Sequence, residues 1–251
     1  MDSAASERPR VVADGFEQAV LKAGNAAGER VGLGSLFVAL TSGEAQVEAC
    51  FLTRGAYYVV LGRTQSGPGL RSLQREMQVL KRILLGEQQK VIALELHLSD
   101  SSIATAAARA ARALGFACPA RQIPVVVMMA AWDAEEPGVS VPCTTVEWGG
   151  MAYRVARVER PSPTTLLEGL SESEQSIVEL LVERRSNEEI ARARNRSERT
   201  VANQLGSIIK KLKVSSRGGV LTTLAERWCR AARAQSAVQA AAVAPAGSST
   251  N

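Results

Sequence analysis

The chain is 251 residues long, 46% hydrophobic and 22% charged, the balance of a globular protein with length for one or two cores. Its longest apolar run, Val125–Trp132, falls far short of the roughly 20 residues that cross a bilayer, and the opening Met1-Asp-Ser-Ala-Ala-Ser-Glu-Arg-Pro9 lacks the basic-then-apolar order of a secretory signal, so a cytoplasmic protein with no membrane contact is expected. The net charge of +5 says little as a total, and Cys50, Cys118, Cys143 and Cys229 with the single His97 have no metal-ligand spacing; no metal, cofactor or disulfide set is expected, and the cysteines read as small packing residues.

In chain order, residues 11–42 predict an amphipathic helix around Phe16–Ala27 and another near Leu36–Thr41. Gly32-Leu-Gly34 between them is a loop signal, too sparse for a phosphate cradle. Gln46–Gly62 alternates around Arg54-Gly55 and predicts a β-hairpin. Val125–Trp132 taken alone fits a buried strand as well as a helix. Asp133–Val141, rich in Asp, Glu, Pro and Gly, reads as a linker, and Cys143–Val158 alternates around Gly149-Gly150 as a second hairpin. Arg233–Asn251, Ala-rich and ending Pro-Ala-Gly-Ser-Ser-Thr-Asn, reads as a frayed helix passing into a disordered tail.

The charge is concentrated: Arg184–Arg217 holds ten Lys/Arg against three Asp/Glu, a net of +7 that exceeds the whole chain. Such a cluster suits a polyphosphate partner, although a solvated charged face would give the same count. The order of residues decides. Ser171 followed by Glu174 has capping-box spacing and opens a helix of roughly 171–184 carrying Ile177, Val178, Leu180 and Leu181. Ser186-Asn187 can cap a short second helix with Ile190, Ala191 and Ala193, and the chain turns at Asn195-Arg196. Ser197 caps a third helix whose stripe is Val201, Leu205, Ile208, Ile209 and Leu212, and a fourth follows with Val220, Leu221, Leu224 and Trp228. The third helix leaves Arg199, Thr200, Asn203, Gln204, Ser207, Lys210 and Lys211 for its other side. The amides of Asn203 and Gln204 can bond adenine in two-pronged fashion, and Lys210 and Lys211 can hold phosphates.

The run Leu170–Arg217 resembles the LuxR/NarL-type output domain, matched at Ser186-Asn-x-Glu-Ile-Ala191, Ser197-x-Arg-Thr-Val201, Lys211-Leu-x-Val214 and Ser216-Arg217. The resemblance implies a bacterial four-helix module that binds double-stranded DNA, usually as a pair, and regulates transcription through its third helix in the major groove. It adds Ser186, Asn187 and Arg217 to the DNA-contacting set. At Ala202 and Gln204 the chain departs from the family, which commonly has a basic residue and a histidine there; that bears on the sequence recognised more than on binding.

A shift of 98 residues lays Glu76 on Glu174, Val79 on Ile177, Ile83 on Leu181, Ile92-Ala93 on Ile190-Ala191, Ser99 on Ser197, Ile103 on Val201 and Leu114 on Leu212. A two-residue adjustment lays Arg121 on Arg217 and Trp132 on Trp228, which makes Val125–Trp132 a fourth helix. The expected fold is mainly α with short β-hairpins: tandem four-helix modules, each preceded by a hairpin. The domain map is 1–69 N-terminal helices and hairpin, 70–132 degenerate module, 133–165 linker and hairpin, 166–232 DNA-binding domain and 233–251 tail. The window 86–119, equivalent to 184–217, has three basic and three acidic residues and a net charge of zero, so the first copy is expected to be structural or to dock a partner.

No nucleophile elbow, Walker loop, dinucleotide fingerprint or zinc-protease motif is present, so an enzyme is not expected. Residues 1–69 are few for a ligand cavity, and no strand ends in a phosphorylatable Asp behind an acidic cluster. Two readings remain beside the plain regulator. One is a scaffold whose first copy recruits RNA polymerase or another regulator. The other concerns pairing, as a homodimer or as an internal pseudodimer.

Overall fold

A computed structural model describes residues 14–26, 28–53, 55–63, 73–116, 123–160 and 167–243, with backbone alone at 14 and 236–243. Helix α1 (Asp14–Gly24), strand β1 (Glu29–Gly32) and helix α2 (Leu33–Ser42) precede a hairpin of β2 (Ala45–Leu52) and β3 (Ala56–Arg63). Four helices follow, α3 (Gln74–Leu84), α4 (Gln89–Glu95), α5 (Asp100–Ala113) and α6 (Val125–Glu135). A second hairpin, β4 (Ser140–Trp148) and β5 (Met151–Glu159), leads to α7 (Glu172–Val182), α8 (Asn187–Ala193), α9 (Glu198–Lys211) and α10 (Arg217–Val243).

The two hairpins are not separate, as one hairpin per helical unit would imply. They join in a five-stranded antiparallel sheet of order β1-β4-β5-β3-β2, with β3 against β5 from Ala56↔Glu159 to Leu61↔Arg154. Strand β1, absent from the expectation, is Glu-Arg-Val-Gly, too short and polar to leave a periodic signal. The β4–β5 turn has Gly149 and Gly150 at φ 57° and 77°, the left-handed pair that lets a two-residue turn follow the strand twist. Side chains alternate across β3. Tyr58 and Val60 join Val146, Tyr153, Val155 and Phe16 and Val20 of α1 on one face, while Tyr57, Val59 and Leu61 enter the larger core on the other.

That larger core is built around α6, in which every residue from Val125 to Ala131 is buried. A helix apolar on all sides belongs at the centre, and α6 lies among α2, α3 and α10. Two expectations are corrected here. Gly32-Leu-Gly34 is not a loop: Leu33 opens α2, and a Cβ on Gly34 would lie 2.6 Å from the backbone nitrogen of Ala134, so only glycine lets the helices approach so closely. Asp133 is not in a linker; it is buried in the last turn of α6, accepting from the N–H groups of Gly34 (2.7 Å) and Val139 (3.0 Å). Residues 233–243 continue α10, in keeping with the helix read at the start of this stretch, and those beyond 243, with Cys118 and Arg121, lie outside the described residues.

The bounds of α3, α4 and α5 each fall 98 residues before those of α7, α8 and α9. Left-handed backbone recurs at the same spacing: Gly86 and Arg184, His97 and Asn195, Gly115 and Lys213. Ser99 and Ser197, again 98 apart, each accept from the N–H three residues on.

Candidate nucleic-acid interface

The C-terminal helices are fixed by their caps. Ser171 with Glu174 and Ser186 with Glu189 form full capping boxes, and Ser197 Oγ accepts from Thr200 N at 3.1 Å. The backbone hydrogen bond from Ser186, then its hydroxyl, holds the Glu189 carboxyl below its usual range. Asn195 supplies the turn between α8 and α9 at φ 51°, a backbone state that Asn tolerates. Val201, Leu205 and Ile208 bury one side of α9 in the core that also holds Ile177, Leu181 and Ile190.

The remaining surface of α9 divides into two stripes. At about 100° per residue, Arg199, Asn203 and Lys210 fall within about 40° of arc opposite the buried side. All three are exposed, and none has a side-chain partner among the described residues. Thr200, Gln204, Ser207 and Lys211 lie on the flank beside α7. There Gln204 uses both ends of its amide, accepting from Arg194 Nη1 (3.0 Å) and donating to Ser173 Oγ (2.9 Å). Ser207 donates to Glu174 Oε1 (2.8 Å), and Lys211 Nζ lies 2.7 Å from Glu174 Oε2.

Glu174 is the hub of this flank, only 6% exposed. Burial pushes its carboxyl pKa up, but hydrogen bonds from Lys211, the Ser171 backbone, Ser207 and the Ser171 hydroxyl outweigh that and hold it at about 2. The carboxylate therefore stays charged and fixes the angle of α9 on α7.

Of the ten residues expected to contact DNA, the structure gathers Arg199, Thr200, Asn203, Gln204, Ser207, Lys210 and Lys211 on one helix, with Gln204, Ser207 and Lys211 engaged internally. Ser186 caps α8, and Arg217 donates to Asn187 Oδ1 at 2.9 Å and to the Arg185 carbonyl, so these three tie α8 to the start of α10. Arg184, Arg196, Arg199, Lys210 and Lys213 are exposed and lack a side-chain partner among the described residues, whereas Arg192 pairs with Glu188 at 2.6 Å. Arg184, Arg196 and Lys213 were not among the ten. The signal available for them was their place at turns flanking the helices, where a long cation finds no partner one helical turn away.

The profile of the family described as bacterial regulatory proteins, luxR family, matches residues 168–223. No curated protein and no solved structure matches the chain. Residues 168–223, spanning α7, α8, α9 and the first turns of α10, are a helix-turn-helix domain of the luxR family of bacterial regulatory proteins.

Proposed function

We propose that the chain is a sequence-specific DNA-binding transcription regulator in which α9 enters the major groove. The observation that carries this is the partnerless stripe Arg199–Asn203–Lys210, directed away from the core on the third helix of the luxR-family domain. In this reading Asn203 offers its amide to an adenine edge, while Arg199, Lys210 and Arg196 meet phosphates. The N-terminal N–H groups of α9, with Thr200, face a phosphate along the helix dipole. Ser186, Asn187 and Arg217 flank the groove helix, and Gln204, Ser207 and Lys211 hold its angle through α7.

The unit α3–α6 is, on the same proposal, a degenerate copy that no longer reads DNA. The common spacing of helix bounds, caps and left-handed residues supports it. So does a compensated pair: Glu76 on α3, where Glu174 stands on α7, meets Arg109 of α5 at 3.0 Å, although Lys211 comes from the next helical turn. A second reading, in which this copy docks RNA polymerase or another regulator, is favoured by Val91 and Leu94, 41% and 76% exposed on α4.

The test is selection of duplexes from a random pool by the full chain. A defined motif is expected, and Asn203→Ala should lose discrimination at one base pair by about 1–3 kcal/mol. A pool recovered without any motif would refute sequence-specific reading.

A further inference from the structure

We infer that the cleft between the end of the β-sheet and the α7–α8 turn receives a backbone phosphate of the bound duplex, held by Arg160 and Arg184, so that the DNA-contacting surface continues past the luxR-family domain onto the sheet. The inference rests on the reading of α9 as the groove helix.

The cleft measures about 430 Å³. Thr53 of the first hairpin and Arg160, just after β5, form its sheet side, and Glu183, Arg184, Arg185 and Glu189 form its helical side. The backbone N–H of Arg160 donates to the Gly55 carbonyl at 2.8 Å, which fixes this residue against the β2–β3 turn. Charges from both sides reach the buried Tyr57 hydroxyl. Burial pushes that hydroxyl up, Arg160 draws it down and Glu183 raises it again, so it stays neutral and adds no charge there.

The charges in the cleft are unevenly matched. Glu189 Oε2 accepts from Ser186 N at 2.7 Å, and Glu183 and Glu189 lie 3.6 and 3.9 Å from the Arg185 guanidinium. Arg185 and the helix cap thus answer both carboxylates. Arg160, half-buried, and Arg184, exposed, have no hydrogen-bond or ion-pair partner for their side chains among the described residues. In the sequence next to the cleft, neither Arg54 nor Pro161–Leu166 brings an acidic group. Two guanidiniums in this state suit a phosphate, whose oxygens each can meet with paired N–H groups.

The backbone of Arg184 points the same way. It holds φ 66°, a left-handed state that is costly for a residue with a side chain, whereas its counterpart 98 residues earlier is Gly86 at φ 93°. The first unit has the residue this turn favours, and the second carries a cation there despite the strain. In a helix-turn-helix the helix before the groove helix crosses the DNA backbone. That helix is α8, and the cleft lies at its start, so a duplex seated on α9 runs its backbone past Arg184 and Arg160.

The experiment uses the full chain and a duplex carrying a pool-selected site, titrated across a salt series. A second set of duplexes has one backbone phosphate at a time replaced by an uncharged methylphosphonate. Arg160→Ala and Arg184→Gly should each weaken binding several-fold, and together they should lower the slope of log affinity against log salt by about one. One methylphosphonate position should weaken the parent several-fold and the Arg184→Gly variant less. Arg184→Gly relieves the left-handed strain and should melt at or above the parent, so its loss of affinity is read on a folded chain. A parental salt slope in the double variant, or the same methylphosphonate profile for the parent and Arg184→Gly, would overturn the inference while leaving the groove reading intact. Absence of salt-dependent binding by the parent would instead remove the groove reading, and this inference with it.

Discussion

On α5, Ser101, Thr105 and Arg112 occupy the outward stripe that Arg199, Asn203 and Lys210 occupy on α9, while Ile103, Ala107 and Ala110 face the core where Val201, Leu205 and Ile208 do. The inward positions stay apolar in both units, with alanine at 107 and 110 of α5. The outward positions differ in chemistry. Residues 184–217 have a net charge of +7 and residues 86–119 of zero, so only one frame carries the charge that competes with salt for phosphates. On the proposed function, core spacing makes the helix-turn-helix frame, and the solvent-facing stripe decides whether it reads DNA.

The comparison breaks most readily through the core. Ile92→Ala in α4 and Ile190→Ala in α8, both fully buried, should each cost about 2–5 kcal/mol. Because the α6–α10 seam joins the units, chemical denaturation of either variant should keep one transition; two separated transitions would make the units independent.

The next effect falls on binding. Lys210→Ala should lower the slope of log affinity against log salt by about one, whereas Arg109→Glu with Arg112→Glu should leave affinity nearly unchanged. A large loss from the latter pair would restore DNA contact to the first unit. Lys211→Ala should act through Glu174 instead, lowering thermal stability more than the salt slope.

The acid limb sharpens this. The Glu174 carboxyl is held at about 2, below its unfolded value, so its contribution is present above that value and is lost as pH falls through the range between them. Between about pH 4 and pH 2, Glu174→Gln should flatten part of the stability loss of the parent, read as a smaller fall in melting temperature. The smallest effect is at the α9 C-terminus, where Lys213 adopts φ 55° and its counterpart in the first unit is Gly115 at 99°. Lys213→Gly should raise stability by up to about 1 kcal/mol, measured by urea denaturation.

What the sequence made legible was local. Capping serines, the Asn195 turn and the apolar spacing of the luxR-family helices act over three or four residues, and the structure has them as read. Long-range contacts were not legible. β1 exists because β4 offers it an edge, and Gly34 is helical because the backbone of α6 lies against it. The same limit applied at the interface: periodicity put Gln204, Ser207 and Lys211 outside the core but could not say that Ser173 and Glu174 of another helix would engage them.

The most direct measurement is the affinity of the full chain for duplex DNA across a salt series, for the parent and for Arg199→Ala with Lys210→Ala. The account predicts a linear fall of log affinity with log salt, equivalent to roughly five phosphates, and a slope smaller by about two in the variant. Equal slopes for the two proteins, or no salt-dependent binding by the parent, would contradict it.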